Sequence, residues 1–489
     1  MLNHFRQTFT TLRKTRTVVN GLRFVWVITF LISEYFVFYF AAQKCSSWPR
    51  TINQSFNHTM SNLNVINTPE KVASETFLLI GDPQITDAFS YKRTGILQTL
   101  TEYYSDRYMR RNYKLLTNIL QPQTVFFMGD LMDGGREWDD EGWYKQTERF
   151  MRLFKTSAKM QFMAGNHDIG FGNGVTTFLQ ERFESVFGPP SYGLTTNTPY
   201  SIVVLDTVSL SSSDPAVRQK ALDVLYGPLP PSPRILMSHV PLYRPDTEWC
   251  GPYRGRQNPG TIRQGRGYQY QNLLTEELSR QILERVQPIA VFSGDDHDYC
   301  EVTHTYKYGA GYGYNADNVN DNYNENTSNN GGDGEGDGEK NNGINSGASR
   351  NSGTRAAASN YDILEVVEMS VPTFNMAQGV ISPGVMLLDL SSGIGVKLCW
   401  LPDQISLFIG YGCLAGLSIG VLAIVHGWRW IRHRQKTSSG FKTLEMADER
   451  LMMYSRNSSI KNALGYFARD VCNVGSVAIV FYIFCLLVF

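Results

Sequence analysis

Five short motifs of acidic residues and histidine, each directly after an apolar run, constrain this chain more than any other feature. In chain order they are Gly81-Asp82-Pro83-Gln84, Gly129-Asp130-Leu131-Met132-Asp133, Gly165-Asn166-His167-Asp168, Ser238-His239-Val240-Pro241 and Gly294-Asp295-Asp296-His297. Carboxylate, amide and imidazole groups are the ligands that a pair of divalent metal ions needs. Together the five motifs predict one metal site assembled from distant parts of the chain.

The apolar runs before the motifs have the length and composition of buried β-strands. We expect such strands over residues 76–80, 124–128, 160–163, 201–205, 234–237 and 288–292, with closing strands at 363–369 and 385–390. Helix-like stretches separate several of them, at residues 101–120, 143–154 and 271–286. This alternation predicts an α/β domain with the motifs at the carboxyl ends of its strands, where open α/β sheets bind ligands.

Three apolar segments are long enough to cross a bilayer, at residues 22–42, 404–428 and 471–489. Basic residues fill the tail at 1–21 and the loop at 429–470, so the positive-inside rule places both in the cytosol and residues 43–403 in the lumen. The first segment is expected to be an uncleaved signal anchor, although Ala41-Ala42 leaves cleavage open. Glu34 inside it either contacts a partner helix or a lipid headgroup or, as we favour, is a tolerated polar residue near the far end.

The lumenal part divides into a polar stem at 43–75 and a catalytic domain at 76–402. Residues 308–360 are rich in Gly, Asn, Asp and Ser and have little to bury, which predicts a disordered insertion. Sequons at Asn53, Asn57 and Asn326 are candidates for glycosylation. Cys250 and Cys300 are the preferred disulfide pair, with free thiols an equal alternative. The formal net charge of zero gives no bulk attraction to nucleic acid.

The motif residues predict two neighbouring cation sites. Asp130 is the candidate bridge, because one aspartate shared between two ions holds them close; for an isolated aspartate, a helix cap or an Asx turn is the alternative. Asp295 and His297, two residues apart, are placed to reach both ions. One ion would be held by Asp82, Gln84, Asp130 and His297, and the other by Asp130, Asn166, His239 and Asp295.

Other residues are candidates for roles beside the metals. His167 is expected to stabilise or protonate a leaving oxygen, with Asp168 orienting its ring. Five residues adjoining the motifs are candidates for contact with phosphate or sugar, with a surface or packing role as the alternative for each: Arg136, Tyr243, Arg244, Tyr299 and His304.

At these motifs the chain resembles the calcineurin-like metallophosphoesterase superfamily. That family's pattern is Asp-x-His, Gly-Asp-x-x-Asp, Gly-Asn-His-Asp/Glu, a lone His, and Gly-His-x-His. Gln84 and Asp295 stand where the family has histidine, and exchanging imidazole for oxygen donors favours Mn²⁺ over Zn²⁺. The positions that match the pattern are Asp82, Asp130, Asn166, His167, His239 and His297.

The motif sequences are similar to those of fungal endoplasmic-reticulum members of the family that remodel glycosylphosphatidylinositol (GPI) anchors. These fungal members are related to the mammalian post-attachment phosphoesterase. The resemblance implies the four-layer fold of this family, in which two mixed β-sheets pack face to face between helices, together with three transmembrane helices. It also implies two divalent metal ions, with Mn²⁺ favoured, and attack by a metal-bridging hydroxide.

The substrate implied by the resemblance is an ethanolamine phosphate on a mannose of the GPI glycan, carried by GPI lipid or GPI-anchored proteins. The implied location is the endoplasmic reticulum membrane, or the Golgi, with the catalytic domain in the lumen. Two alternatives stay open. One is a lumenal phosphatase acting on phosphoproteins or sugar phosphates. The other is a weakly catalytic metal-binding membrane protein, suggested by Gln84 and Asp295.

Overall fold

The computed structural model describes residues 2–49, 75–91, 94–255, 260–308, 362–441 and 449–488. Most of the predicted stem and, apart from Tyr308, the whole predicted insertion lie outside these ranges. The candidate glycosylation sites Asn53, Asn57 and Asn326 lie outside them as well, so all of these remain predictions.

Thirteen strands form the framework of the described part of the catalytic domain. They are β1 (Thr76–Ile80), β2 (Thr124–Phe127), β3 (Lys159–Phe162), β4 (Tyr192–Thr195), β5 (Ser201–Leu205), β6 (Arg234–Ser238), β7 (Arg266–Gly267), β8 (Tyr270–Gln271), β9 (Pro288–Ser293), β10 (Cys300–Tyr308), β11 (Asp362–Ser370), β12 (Gly384–Asp389) and β13 (Gly395–Trp400). One sheet has the order β13-β12-β1-β2-β3, the second β10-β11-β9-β6-β5-β4, and β7-β8 is a separate hairpin. All strands predicted from the apolar runs are present, to within one or two residues at their ends.

The strands that precede the motifs belong to the parallel parts of the two sheets. β1, β2 and β3 run parallel in the first sheet, and β5, β6, β9 and β11 run parallel in the second. The remaining pairings are antiparallel, so both sheets are mixed. Because the carboxyl ends of parallel strands meet at one edge of a sheet, the motifs that follow these strands lie close together.

Helices cover the outer faces of the two sheets and form the membrane segments. They are α1 (Leu2–Leu31) continuing through a π-helical turn (Ile32–Phe36) into α2 (Val37–Lys44), then α3 (Ile96–Leu120), α4 (Asp140–Leu153), α5 (Asn166–Ile169), α6 (Thr177–Phe187), α7 (Thr207–Leu210), α8 (Pro215–Tyr226), α9 (Glu276–Val286), α10 (Gln404–Phe441) and α11 (Glu449–Val488). A short 3₁₀ turn lies at Gly172–Gly174.

Alternation along β1 explains the layered packing. Phe77 and Leu79 are buried between the two sheets, whereas Leu78 and Ile80 are buried against the helices on the other face. A strand that is apolar on both faces must be covered on both, since successive side chains point to opposite sides. Helices α3, α4 and α6 cover the first sheet and α8 and α9 the second, so the four-layer prediction is confirmed.

The sequence pattern missed five strands: β4, β10 and β13, which lie at the edges of the two large sheets, and β7 and β8, which form the separate hairpin. An edge strand has one solvated side and carries a weaker apolar signal; in β4 the side chains alternate between half-buried and exposed. The predicted helix at 271–286 begins only at Glu276. Thr275 caps it by accepting a hydrogen bond from the Leu278 backbone, and Gln271 belongs to β8 instead.

Two disulfides join described parts of the chain. Cys250–Cys300 confirms the preferred pair. Cys45–Cys399, which the sequence did not predict, ties the segment just after α2 to β13. The second bridge therefore fastens the end of the first membrane helix to the edge of the first sheet.

Three helices are apolar and long enough to span a membrane: Thr15–Lys44, Gln404–Arg432 and Ile460–Val488. Each includes most of a predicted span, so the prediction of three spans is confirmed, while the direction in which they cross stays a prediction. Our favoured interpretation of Glu34 is wrong. Its carboxylate is buried, lies 2.9 Å from Arg111 Nη1 and accepts a hydrogen bond from the Tyr411 hydroxyl at 2.7 Å. The alternative, contact with a partner helix, holds.

Candidate metal centre

The side chains of Asp82, Asp130 and His239 converge at the carboxyl ends of β1, β2 and β6. One ligand atom from each lies within 4.8 Å of the other two, and all three residues are fully buried. Asp82 and Asp130 follow neighbouring strands of the first sheet, whereas His239 follows a strand of the second, so the packing of the two sheets brings the histidine to the two carboxylates.

The imidazole of His239 is the centre of one predicted ligand set. Its Nδ1 lies 2.8 Å from the carbonyl oxygen of Met128, which can only accept a hydrogen bond, so Nδ1 carries the proton and Nε2 is left as the ligand atom. Nε2 lies 3.2 Å from Asn166 Oδ1, 3.3 Å from Asp130 Oδ1 and 3.6 Å from Asp295 Oδ1. These are the four side chains assigned from sequence to the second ion.

Gln84 belongs to the other predicted set and contacts one of its members, Asp130. Its Nε2 donates a hydrogen bond to Asp130 Oδ2 at 2.8 Å. Its Oε1 is buried and accepts no hydrogen bond from any described residue, a situation that normally costs free energy unless another partner is present. A free amide oxygen beside a carboxylate fits a hard cation. The Nδ1 atom of His297 lies 3.3 Å from the Gln378 carbonyl oxygen, within hydrogen-bonding distance.

The charges at this centre are unbalanced in a way that a cation would correct. Burial, reinforced by the negative charges of Asp130 and Asp295, raises the pKa of Asp82 well above its usual value. Burial likewise raises the pKa of Asp295 to about 7. Burial lowers the pKa of His239, but the carboxylates of Asp130 and Asp82 outweigh it and leave that pKa well above 6.5.

Backbone strain is concentrated at the same residues. Five candidate ligands have positive φ, a conformation that residues other than glycine rarely adopt and that costs roughly 1–3 kcal/mol each. Such strain persists where the surrounding structure demands it, which is typical of functional sites. The five are Asp82 (38°), Gln84 (32°), Asp130 (50°), Asp295 (65°) and His297 (65°).

Glycines precede the ligands because the backbone passes within contact distance of other ligands. A Cβ on Gly165 would overlap Asp130 Oδ1 and lie 2.7 Å from His239 Nε2. Gly129 has φ +95°, and a Cβ there would overlap the His239 ring. Gly129 and Gly165 therefore allow loops from both sheets to approach one another at the ligand cluster.

His167 lies at the open side of the cluster, with its side chain 28% exposed. Its backbone N–H donates to Asp130 Oδ1 at 2.8 Å, and its ring Nδ1 lies 2.6 Å from the Asp133 carbonyl oxygen and 3.2 Å from Asp133 Oδ1. Burial lowers the pKa of His167, but the charges of Asp130 and Asp133 raise it to about 9. The imidazole is therefore poised as a proton donor at neutral pH.

The prediction that Asp168 orients the His167 ring is wrong. The Asp168 carboxylate instead accepts hydrogen bonds from the backbone N–H groups of Leu131 (2.9 Å), Met132 (3.1 Å) and Gly165 (2.9 Å). It holds the second and third motif loops together, while Asp133 holds the ring. The signal for Asp133 was available, since it is the second aspartate of the Gly-Asp-x-x-Asp pattern.

Three of the five candidates for substrate contact have a packing role instead. Arg244 is 2% exposed, and its Nη2 lies 2.8 Å from Glu368 Oε2. The same oxygen lies 2.6 Å from His304 Nε2. The Tyr299 hydroxyl donates to Glu301 at 2.5 Å. These contacts use up the polar groups of Arg244, His304 and Tyr299 away from the metal ligands.

The other two candidates stay open. Arg136 Nη1 donates to the Asn166 carbonyl oxygen at 2.8 Å, so Arg136 braces a ligand loop while remaining 13% exposed. Tyr243 is half-buried, and its backbone N–H donates to Ser279 Oγ at 2.8 Å. Substrate contact by either remains a prediction.

Sequence reasoning missed three groups that support the ligand loops. Glu368 on β11 accepts hydrogen bonds from Ser293 Oγ (2.6 Å) and from the Leu242 N–H (3.2 Å), and so joins the loops after β6 and β9. Thr373 Oγ1 donates to the Asp82 carbonyl oxygen at 2.7 Å, and Asn375 Nδ2 donates to that of Gln84 at 2.8 Å. A charged residue within an apolar strand was the available signal for Glu368.

A family model described as calcineurin-like phosphoesterase matches residues 75–299. Over those residues, somewhat under half of the chain, the sequence is similar to the calcineurin-like phosphoesterases. The matched region contains all five motifs, and the buried Asp82–Asp130–His239 group supports divalent metal ions as the family's cofactors. This similarity and the buried ligand group support a metal-dependent phosphoesterase domain.

Two curated relatives and one solved structure illustrate the similarity. Cell division control protein 1 of Saccharomyces cerevisiae is 41% identical over 249 residues, which cover 49% of this chain and 50% of the yeast protein. Metallophosphoesterase 1 of Pongo abelii is 27% identical over 329 residues, covering 61% of this chain and 77% of that protein. Among solved structures, a dimetal phosphatase from Danio rerio aligns with 67% of this chain and 99% of its own chain. The sequence identity is 11% and the TM-score is 0.34.

We predict that Gly165→Ala abolishes metal binding by this phosphoesterase domain, because the added Cβ would displace Asp130 and His239. Metal retained by the purified protein, measured by mass spectrometry of the elements, should fall to background. Gly410→Ala, whose Cβ would meet nothing within 4 Å, is the matched control and should retain full occupancy. Normal metal content in Gly165→Ala would contradict the described packing.

We also predict a pH-dependent cost for Glu368→Gln. Burial raises the pKa of Glu368, but the charges of Arg244 and His304 outweigh it and lower that pKa to about 2. The stabilisation is therefore present above about pH 4.5 and is lost as pH falls towards 2, with a magnitude of about 3 kcal/mol. Denaturant unfolding at pH 7, 5 and 3.5 should show the gap between wild type and variant closing. The exposed Glu365→Gln on the same strand should show no such trend, and a constant gap for Glu368→Gln would refute the assignment.

Proposed function

We propose that this chain is a membrane-anchored, two-metal phosphodiesterase. The observation that carries the proposal is the position of His239 Nε2, which lies 3.2–3.6 Å from oxygens of Asn166, Asp130 and Asp295. The unpartnered Gln84 oxygen supports a second ion. Asp82, Gln84, Asp130 and His297 would hold one ion, and Asp130, Asn166, His239 and Asp295 the other.

The two oxygens of Asp130 face different groups, as a bridging role requires. Oδ1 lies towards His239 and accepts from the His167 backbone, while Oδ2 accepts from Gln84. Two divalent ions bound there would supply the attacking hydroxide and neutralise the phosphoryl oxygens. The set contains more oxygen donors than imidazoles, and this composition favours Mn²⁺.

His167 is the proposed general acid. Asp133 holds its ring Nδ1, with the Asp133 carbonyl oxygen at 2.6 Å and Oδ1 at 3.2 Å, and so fixes the orientation of the imidazole. Proton transfer to the departing oxygen is worth roughly 10²–10⁴-fold in rate for a positioned side chain. Its partial exposure fits contact with a substrate, because a fully buried ring would not reach one.

The proposed substrate is an ethanolamine phosphate on a mannose of the GPI glycan. Three candidate membrane spans support a substrate held in the same bilayer, since tethering enzyme and substrate together raises their effective concentration. The motif sequences, which are similar to those of GPI-remodelling enzymes, support this chemical class of substrate. The basic residues at 429–470 support a lumenal catalytic domain, which we propose faces the lumen of the endoplasmic reticulum.

We predict that Asp130→Asn and His239→Ala each lower Mn²⁺-dependent hydrolysis of a generic aryl phosphodiester by about 100-fold or more, because each removes a ligand. Initial rates of the detergent-solubilised full chain would be compared at matched protein concentration. Asp223→Asn, an exposed position on α8, is the control and should be unaffected. Wild-type rates in either ligand variant would reject the metal scheme.

We predict that cells lacking the protein accumulate anchor glycans with an additional ethanolamine phosphate. Mass spectrometry of released glycans would measure it, and the wild-type chain should restore the normal pattern while Asp130→Asn should not. An unchanged pattern, alongside active hydrolysis of the aryl diester, would reject the GPI substrate and leave a phosphatase for phosphoproteins or sugar phosphates as the function.

A further inference from the structure

Helix α3 joins the catalytic domain to all three membrane helices. In the third membrane helix, the carbonyl oxygens of Leu486 and Cys485 accept hydrogen bonds from Arg107 at 2.5 Å and 3.0 Å. Arg111 Nη1 donates to Glu34 Oε2 of the first membrane helix at 2.9 Å. Arg111 Nη2 donates to Gln404 Oε1 of the second membrane helix at 3.1 Å. One face of α3 therefore lies across the domain-side ends of the spans.

These contacts mark the edge of the apolar layer. The first span is shifted towards the amino terminus relative to the predicted segment 22–42, because Phe38 and Ala42 pack in the core of the domain. The 19 residues from Thr15 to Ser33, within the candidate span Thr15–Lys44, rise about 28 Å at the helical repeat, close to the roughly 30 Å of a bilayer's hydrocarbon core. Glu34, the next residue, is where the domain's arginine meets the helix. Leu486 lies in the last turn of its helix and Gln404 at the first position of another, so all three contacts fall at the same boundary.

The face of α3 that makes these contacts continues towards its amino terminus as an uncovered apolar stripe. Ile96, Leu100, Tyr103, Arg107 and Arg111 are spaced by three or four residues and share one side of the helix. Ile96 is 76% exposed, Leu100 43% and Tyr103 45%. Beside the stripe, Leu97 is 63% exposed.

A contiguous exposed apolar patch on a globular domain marks an interaction surface. Here the stripe is continuous with the contacts that fix α3 at the membrane boundary, so the bilayer is the surface next to it. We propose that the amino-terminal half of α3, residues 96–103, lies in the lipid leaflet that adjoins the catalytic domain. Large apolar side chains and a tyrosine suit that boundary, where one end of a ring is apolar and the other polar.

The opposite face of α3 supports the metal centre. Gln98 Nε2 donates to the Asp87 carbonyl oxygen at 2.6 Å, and Ser105 Oγ donates to Asn375 Oδ1 at 2.9 Å. Asn375 in turn holds the carbonyl oxygen of Gln84. A single helix, about 10 Å across, thus separates the lipid-facing stripe from a ligand loop. If the proposed function holds, this places the metals at the level of lipid headgroups.

Nitroxide accessibility in the reconstituted full chain tests the membrane contact. Leu97→Cys and Leu100→Cys, each in a chain whose free cysteines 413, 472 and 485 are replaced by alanine, would be spin-labelled and placed in phospholipid nanodiscs. Collision rates with oxygen, which concentrates in lipid, and with a nickel chelate, which stays in water, would be measured. Leu417→Cys on the second span is the lipid control, and Asp223→Cys, on the helical layer of the second sheet, is the water control.

We expect the oxygen-to-nickel collision ratio at residues 97 and 100 to match that at 417 and to exceed that at 223 several-fold. A ratio equal to that at 223 would overturn the proposal. An immobilised label shielded from both reagents would also overturn it, because it would indicate a protein on this face. Tyr103→Cys provides a third site should either leucine variant fail to fold. The measurement uses no enzymatic turnover, so its failure would leave the proposed reaction untouched.

Discussion

The structure depends on one electrostatic constraint: carboxylates and imidazoles gathered in a buried cleft need a compensating positive charge. Asp82 and Asp130 are fully buried within reach of His239, and Asp295 lies nearly as deep. Loss of hydration and repulsion from neighbouring carboxylates raise the pKa of Asp82 and of Asp295 and so disfavour their charged forms. Divalent cations reverse that balance, and the strained backbone at five candidate ligands is consistent with such a demand.

The two-sheet sandwich is what allows this arrangement to be rigid. Each ligand loop is short and starts at the end of a parallel strand, so its position is fixed by the sheet to which that strand belongs. Further groups then hold the loops to one another. Asp168 accepts hydrogen bonds from three backbone N–H groups, and Glu368 joins the loops after β6 and β9. Asn375 donates a hydrogen bond to the backbone of the loop that contains Gln84. The metal ligands are therefore positioned largely before any ion binds.

The same supports extend to the membrane. Helix α3 is attached to the metal loop on one side and to the ends of three apolar helices on the other. The Cys45–Cys399 disulfide and the buried Glu34–Arg111 pair make that attachment firm. A domain on a long flexible tether would sample many orientations, whereas this one is held with a defined face towards the bilayer. For a substrate embedded in lipid, a fixed orientation matters as much as the chemistry.

The sequence by itself determined the ligand types, their order, the buried strands that precede them and the three apolar spans. These features are local: they depend on periodicity, on residue type and on the rule that parallel strands end together. Only the tertiary structure decided that Asp133 rather than Asp168 holds His167, that Arg244 and His304 pair with Glu368, and which helix receives Glu34. Such pairs join residues far apart in the chain, with 77 positions between Arg111 and Glu34 and 124 between Arg244 and Glu368. Their proximity comes from the packing of sheets and helices, which no local pattern encodes.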